Sequence, residues 1–192
     1  MDKVLQLKIT IKDSKPPIWR RLLVPEKMNF NQLHFIIQLA FNWTNSHLHE
    51  FNLEGYEISG IQDDMEEEES IDSEVVELGA CLQKGTKFDY VYDFGDDWKH
   101  RVIVEKIIDK EPNITYPCCI AGKRSGAIED SGGIYGYQNM MEVLKDSSNE
   151  EYEAVFEWIG GVYDAVFFDR EELNKKLADL DNQRRSLEDM MM

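Results

Sequence analysis

The sequence predicts an α+β domain: a mixed, largely antiparallel sheet of five or six strands, one early helix packed across it, and a helical C-terminal layer. Three observations carry that prediction. The first segment alternates apolar and polar residues at a period of two. A capping signature at Asn29 opens a stretch with helical apolar spacing. The last third of the chain has helix caps and helical periodicity but no strand pattern. A chain of 192 residues, 42% hydrophobic and 11% aromatic, is long enough to bury one sizeable core. There are no internal repeats and no inter-domain linker, so residues 1–192 read as a single domain.

Along Val4–Lys12, Leu5, Leu7, Ile9 and Ile11 fall on one face, with Gln6, Lys8 and Thr10 on the other, as in a half-buried strand. Pro16-Pro17 interrupts the pattern, and Ile18–Val24 forms a second strand. Asn29 with Gln32 makes a capping box for a helix to about Asn42, burying Leu33, Ile36, Ile37, Ala40 and Phe41. A third strand runs from about His47 to Leu53 and a short fourth from Tyr56 to Ser59. Phe88, Tyr90, Tyr92 and Phe94 line one face of the next strand. Phe94-Gly-Asp-Asp-Trp98 turns the chain into a further strand at Arg101–Ile108.

Glu111–Ile134, with two prolines and four glycines, reads as a long irregular connection. Helices follow from Tyr137 to Lys145, from Ser148 (an S-x-x-E box with Glu151) to the Gly160-Gly161 stop, and from Asp169 to about Ser186. The C-terminal helix, about 170–187, carries Glu171/Lys175 and Glu172/Lys176 at i,i+4. Its stripe of Leu173, Leu177, Leu180 and Leu187 is too short for an independent coiled coil and predicts docking onto the domain.

Charge excludes more than it suggests. The net charge is −17, and Met28–Gln83 contains no Lys or Arg, which argues against a phosphate-binding surface. Weak nucleic-acid binding is therefore a third-rank reading, confined to basic patches at Lys15–Arg21 and Lys175–Arg185. An acidic loop at 62–78 is read as solvated; it lacks the alternating ligands, central glycine and terminal Glu of a calcium-binding loop. No apolar run reaches the length of a membrane span, and the N-terminus opens into a strand pattern, so the expectation is cytoplasmic residence without membrane association. Three cysteines, two of them adjacent (Cys118-Cys119), fit a reducing compartment.

Candidate chemistry concentrates in Ser46–Phe51 and Tyr90–His100, which hold three of the four histidines. On a strand, His47 and His49 point to the same face and can share a metal. His100, Asp93, Asp96 or Asp97 can complete the set if the hairpin lies beside that strand. A zinc-like divalent ion with an open position would then serve hydrolysis. The candidate site comprises His47, His49, Asp93, Asp97, Trp98 and His100, with His47, His49 and His100 as metal ligands. The alternative is that these histidines are hydrogen-bonded parts of a packed hairpin and that the Gly95 aspartates are turn chemistry. His34, on the flank of the helix, reads as packed. Ser131-Gly132-Gly133 can form an anion-holding nest or a simple turn. There is no nucleophile elbow, Walker loop or dinucleotide fingerprint.

Leu7–Ile11, Pro17–Arg21, Gln32–His34, Ala40–Phe51, Tyr92–His100, Ala121–Arg124, Glu129–Gly133 and Gly136-Tyr137, in this order, resemble the plasmid pRiA4b ORF-3-like family, also labelled TnpR-type passenger proteins of insertion elements. The resemblance spans about residues 4–180. It implies a cytosolic protein of mobile-element or plasmid association, a binding or accessory module with an unknown protein or small-molecule partner, without established catalysis or cofactor. A resolvase would need a serine among arginines and a basic DNA-reading tail, and neither is present. Relatives place cysteines at the positions of Cys119, Gly126 and Ser131; this chain keeps only Cys119, so a thiolate zinc site is not implied here. A metal-dependent hydrolase-like enzyme using the His/Asp site is the alternative reading.

Overall fold

The computed structural model describes residues 2–60 and 70–189. Glu66–Glu69, the densest part of the acidic segment, lie outside the described residues. One eight-stranded sheet spans the molecule in the order β5-β4-β3-β6-β7-β1-β2-β8. Its strands are β1 (Lys3–Ile11), β2 (Trp19–Pro25), β3 (His49–Leu53), β4 (Tyr56–Ser59), β5 (Ser70–Asp72), β6 (Lys87–Tyr92), β7 (Trp98–Asp109) and β8 (Cys118–Lys123). Every pairing is antiparallel except β4 with β5. The helices are α1 (Phe30–Phe41), α2 (Leu78–Cys81), α3 (Gly133–Val143), α4 (Tyr152–Trp158), α5 (Arg170–Ala178) and α6 (Leu180–Asp189). Among the described residues no helix is long and apolar enough to cross a membrane.

The early elements form where local chemistry dictates. Leu5, Leu7, Ile9 and Ile11 are at most 1% exposed, as alternation requires. The Asn29 side chain accepts from the Gln32 amide at 2.8 Å, and the Gln32 side chain accepts from the Asn29 amide at 3.0 Å, so the reciprocal cap is complete. Across the sheet, Phe30 meets Phe51 edge-on at 5.1 Å and Phe88 at 6.1 Å. Leu173, Leu177, Leu180 and Leu187 are buried, docking α5 and α6 on the domain.

The count of five or six strands is too low. β8 forms inside the segment read as an irregular connection, because its short Cys-Cys-Ile-Ala-Gly-Lys run has no period-two polarity and needs only β2 as partner. β5 is a three-residue edge beside β4. Phe94 is 53% exposed: Asp93, at φ +58°, ends the alternation one residue earlier. Ser148 caps no helix; its amide and hydroxyl bind Asp146, and α4 starts at Tyr152 and buries no residue fully. The C-terminal helix breaks at Asp179 into α5 and α6. Lys175 pairs with Glu172 at i,i+3, and Lys176 reaches Asn42 instead of Glu172.

Antiparallel pairing sends the C-terminal ends of β1, β6 and β8 and the N-terminal ends of β2, β3 and β7 to one end of the sheet. Four connections meet there: β1–β2, α1–β3, β6–β7 and β8–α3. All seven described non-glycine residues with positive φ lie in them: Asp13, Asn42, Asn45, Asp93, Asp97, Arg124 and Asp130. Sparsely populated backbone conformations persist only where the surroundings over-determine them, and they gather at functional sites.

After β8 the chain doubles back over the C-terminal end of α1. Arg20, only 2% exposed, fastens this crossing: its Nε donates to Ala40 O, and its Nη1 to Trp19 O and Lys123 O. At Gly126 the approach is so close that a Cβ would lie 1.7 Å from the Phe41 carbonyl oxygen. Gly126→Ala must therefore push the returning chain off α1. We expect a loss of at least about 2 kcal/mol, read as a lowered unfolding midpoint in chemical denaturation. An unchanged midpoint would contradict the close crossing.

Candidate metal centre at the loop end of the sheet

The α1–β3 connection begins when Asn42 and Asn45 take left-handed conformations that their short polar side chains tolerate. Trp43 packs on Tyr92 (5.1 Å, 18° between planes) and donates through Nε1 to Ala127 O at 2.7 Å. The Ser46 amide donates to the Tyr92 hydroxyl at 2.8 Å, which in turn donates to Glu129 Oε1 at 2.7 Å. Glu129 Oε2 accepts from the Thr44 amide at 2.9 Å and the Thr44 hydroxyl at 2.8 Å. Burial and the neighbouring Glu129 raise the Tyr92 phenol far above its ordinary range, so it acts only as a hydrogen-bonding hydroxyl.

This lattice sets Asp130 against His47. His47 Nε2 lies 3.0 Å from Asp130 Oδ1 and 3.6 Å from Asp93 Oδ2. The three side chains offer ligand atoms all within 4.8 Å of one another, the one such group of His, Cys, Asp or Glu among the described residues. Asp93 is held rigidly: its Oδ1 accepts from the amides of Gly95 (2.9 Å) and Asp96 (3.3 Å), while Oδ2 faces His47. The Gly95 turn thus engages Oδ1 and leaves Oδ2 toward His47. Asp130 is the open member, its side chain 66% exposed. Asp96 Oδ2 accepts from the Gly132 amide, tying the β6–β7 turn to the start of α3.

The other proposed ligands go elsewhere. β3 begins at His49, so His47 sits in the preceding loop and the two imidazoles do not share a strand face. His49 turns inward and stacks on His34, with centroids 3.5 Å apart and planes 8° apart. His100 is fully buried among Phe41, Trp43 and Tyr90, its Nδ1 on Trp98 O. The expected His47–His49–His100 set therefore does not converge. Asp97 is exposed and pairs with Lys99, and Trp98 is 1% exposed against Trp43. His34 is satisfied: Gln38 Nε2 donates to Tyr90 Oη at 3.0 Å, and Tyr90 Oη and Asn45 Oδ1 lie 2.8 and 2.7 Å from His34 Nδ1 and Nε2. That chain closes when His34 carries its proton on Nε2. Burial raises the Cys118 and Cys119 thiols, which makes them poor nucleophiles.

Asp130 and Glu129 were absent from the expected site. Their signal is present in Glu129-Asp-Ser-Gly-Gly133, a motif that carries the family resemblance but lies more than 30 residues from Asp93 in sequence. In the fold it closes over Ala40–Phe51 and Tyr92–His100, the other two dense segments of that resemblance.

The model of the family described as plasmid pRiA4b ORF-3-like protein matches residues 3–172. Uncharacterized protein y4hQ of Sinorhizobium fredii is 34% identical over 180 residues, covering 92% of each chain. The crystal structure of MM3350, a protein of unknown function from Methanosarcina mazei, superposes with a TM-score of 0.83 at 38% identity, over 90% of this chain and 98% of that one.

The three inward histidines make stability depend on pH. Burial lowers His34 and His100 from 6.5 to about 4, and burial together with the stacked His34 holds His49 well below its ordinary value. Each stays neutral in the fold but takes a proton in the unfolded chain below 6.5, so stability falls as pH drops from 6.5 toward 4. Denaturation between pH 7 and 5.5 should show steady loss, with on the order of two to three protons taken up on unfolding near pH 5.5. A flat profile would contradict the buried placement.

Proposed function

The chain belongs to the plasmid pRiA4b ORF-3-like family, whose matched relatives carry no assigned activity, and on that premise we propose that it is a binding module holding a divalent cation through His47, Asp93 and Asp130. The observation that carries this reading is the spacing of the ligand atoms. Ligands about 2.1 Å from a cation stand about 3.0 Å apart in octahedral and about 3.4 Å apart in tetrahedral arrangement. Around His47 Nε2 the 3.0 Å separation equals the octahedral edge and the 3.6 Å one is slightly longer than the tetrahedral edge, with all three ligand atoms within 4.8 Å of one another.

One imidazole and two carboxylates suit zinc or manganese better than calcium. Three protein ligands leave positions for an oxygen donor from a partner, and the exposed Asp130 gives that donor access. Binding is favoured over hydrolysis because Glu129, the nearest further carboxylate in sequence, has both oxygens engaged by Tyr92 and Thr44. The accessory role on a mobile element implied by the resemblance fits such a module. The acidic charge favours a protein or small-molecule partner over nucleic acid.

Calorimetric titration of chelator-treated protein with Zn2+ or Mn2+ should give one site per chain. His47→Ala and Asp130→Asn should each weaken it by at least about tenfold, because each removes one of three ligands. Bound metal should raise the unfolding midpoint of the wild type. Absence of one-to-one binding, or equal affinity in His47→Ala, would refute the assignment.

A further inference from the structure

Six of the seven described non-glycine residues with positive φ are Asn or Asp, the types that tolerate a left-handed backbone. The seventh is Arg124, at φ +72°, where glycine would be relaxed. A long side chain held against backbone preference ought to have a structural task, yet Arg124 makes no hydrogen bond or ion pair with any described residue. Its Nε is buried without a partner among the described residues. An orphaned donor of this kind in a native fold needs an explanation.

Arg124 lines a cleft of about 370 Å³ between the β1–β2 connection and α3. Pro16, Ile18, Ile134, Met141 and Val166 give it apolar walls. Lys15 and Lys145 stand at the same cleft, against one carboxylate, Glu142, which is paired with Lys145 at 2.6 Å. In a chain of net charge −17 this is a local reversal of sign. Both halves come from sequence features that the metal centre leaves unexplained: the basic stretch beginning at Lys15 and the Ala121–Arg124 motif.

We propose that this cleft binds a compact organic anion, with a carboxylate or phosphate head on the Arg124 guanidinium and Lys15, and an apolar or aromatic body against Ile18, Ile134 and Met141. The cleft has the volume of a small-molecule site, and its few polar groups among apolar walls are the usual make-up of one. A guanidinium with free N–H groups recognises either head through paired hydrogen bonds. A nucleic-acid backbone would have to approach a chain of net charge −17 over many residues, whereas a single small anion needs only the cleft.

The test is calorimetric titration of the full chain with phenyl phosphate, benzoate, benzyl alcohol and inorganic phosphate. One of the two aromatic anions should bind one per chain with a Kd below about 1 mM, and the tighter of the two names the head group. Benzyl alcohol and inorganic phosphate should each bind at least about tenfold more weakly, because one lacks the charge and the other the apolar body. Arg124→Gly should fold at least as stably as the wild type, since glycine suits φ +72°, yet lose at least about tenfold in affinity. Lys15→Ala should lose about threefold. His47→Ala should bind the anion unchanged, which separates this cleft from the metal centre. The proposal is overturned if neither aromatic anion saturates the protein, if benzyl alcohol or inorganic phosphate binds as well, or if Arg124→Gly folds and binds normally. If Arg124→Gly does not fold, Lys15→Ala and the benzyl alcohol comparison decide alone.

Discussion

The loop end of this molecule depends on Glu129. Its two oxygens accept from Tyr92, the Thr44 amide and the Thr44 hydroxyl, and so bind the β8–α3 connection to both the α1–β3 connection and the end of β6. Charge-assisted bonds of this kind are roughly twice as strong as neutral ones. They make the position of the next residue, Asp130, a consequence of the fold. His47 and Asp93 are fixed from the other side, the first by the Ser46–Tyr92 bond just before it and the second by its own turn. The three candidate ligands thus stand on three different connections, all referred to one carboxylate.

Beneath that clasp, Arg20 solves a harder electrostatic problem. A cation 2% exposed with no carboxylate partner among the described residues would ordinarily be expensive. Here three carbonyl oxygens receive its N–H groups, one of them Ala40 O in the last turn of α1, where the helix dipole is negative. The rings of Phe41 and Phe168 flank the guanidinium at 5.1 and 3.9 Å. Burial still lowers its pKa to about 10, which leaves it charged at neutral pH. The crossing over α1 is thereby locked to β2 and β8 at once.

How much of this was legible in the sequence follows from range. Short-range signals were decisive with one exception: the Asn29 cap, the β1 alternation, the Asp169 cap and the Gly160-Gly161 stop all appear as the residues predict, whereas the Ser148 box caps no helix. Signals needing a partner were not. β8 is a strand because β2 offers an edge, and nothing in Cys118–Lys123 alone says so. The histidines illustrate both cases. Period-two reasoning put His47 and His49 on one face, which fails because β3 starts only at His49. What separates them is the Ser46–Tyr92 hydrogen bond, a contact across 46 residues. The sequence leaves Asp93 as either turn or ligand; in the fold one carboxylate oxygen serves the turn and the other faces His47. Asp130 lay in a motif that no local argument tied to a histidine.

The proposed metal centre requires that, of the four histidines, only His47 faces outward beside two carboxylates. Imidazole nitrogen resonances of the full chain, followed during stepwise Zn2+ addition to beyond one equivalent, read this out directly. His47 alone should shift in proportion to metal, to completion at one equivalent, while His34, His49 and His100 keep their neutral, inward signatures. Shifts in any of those three, or an unresponsive His47, would contradict it.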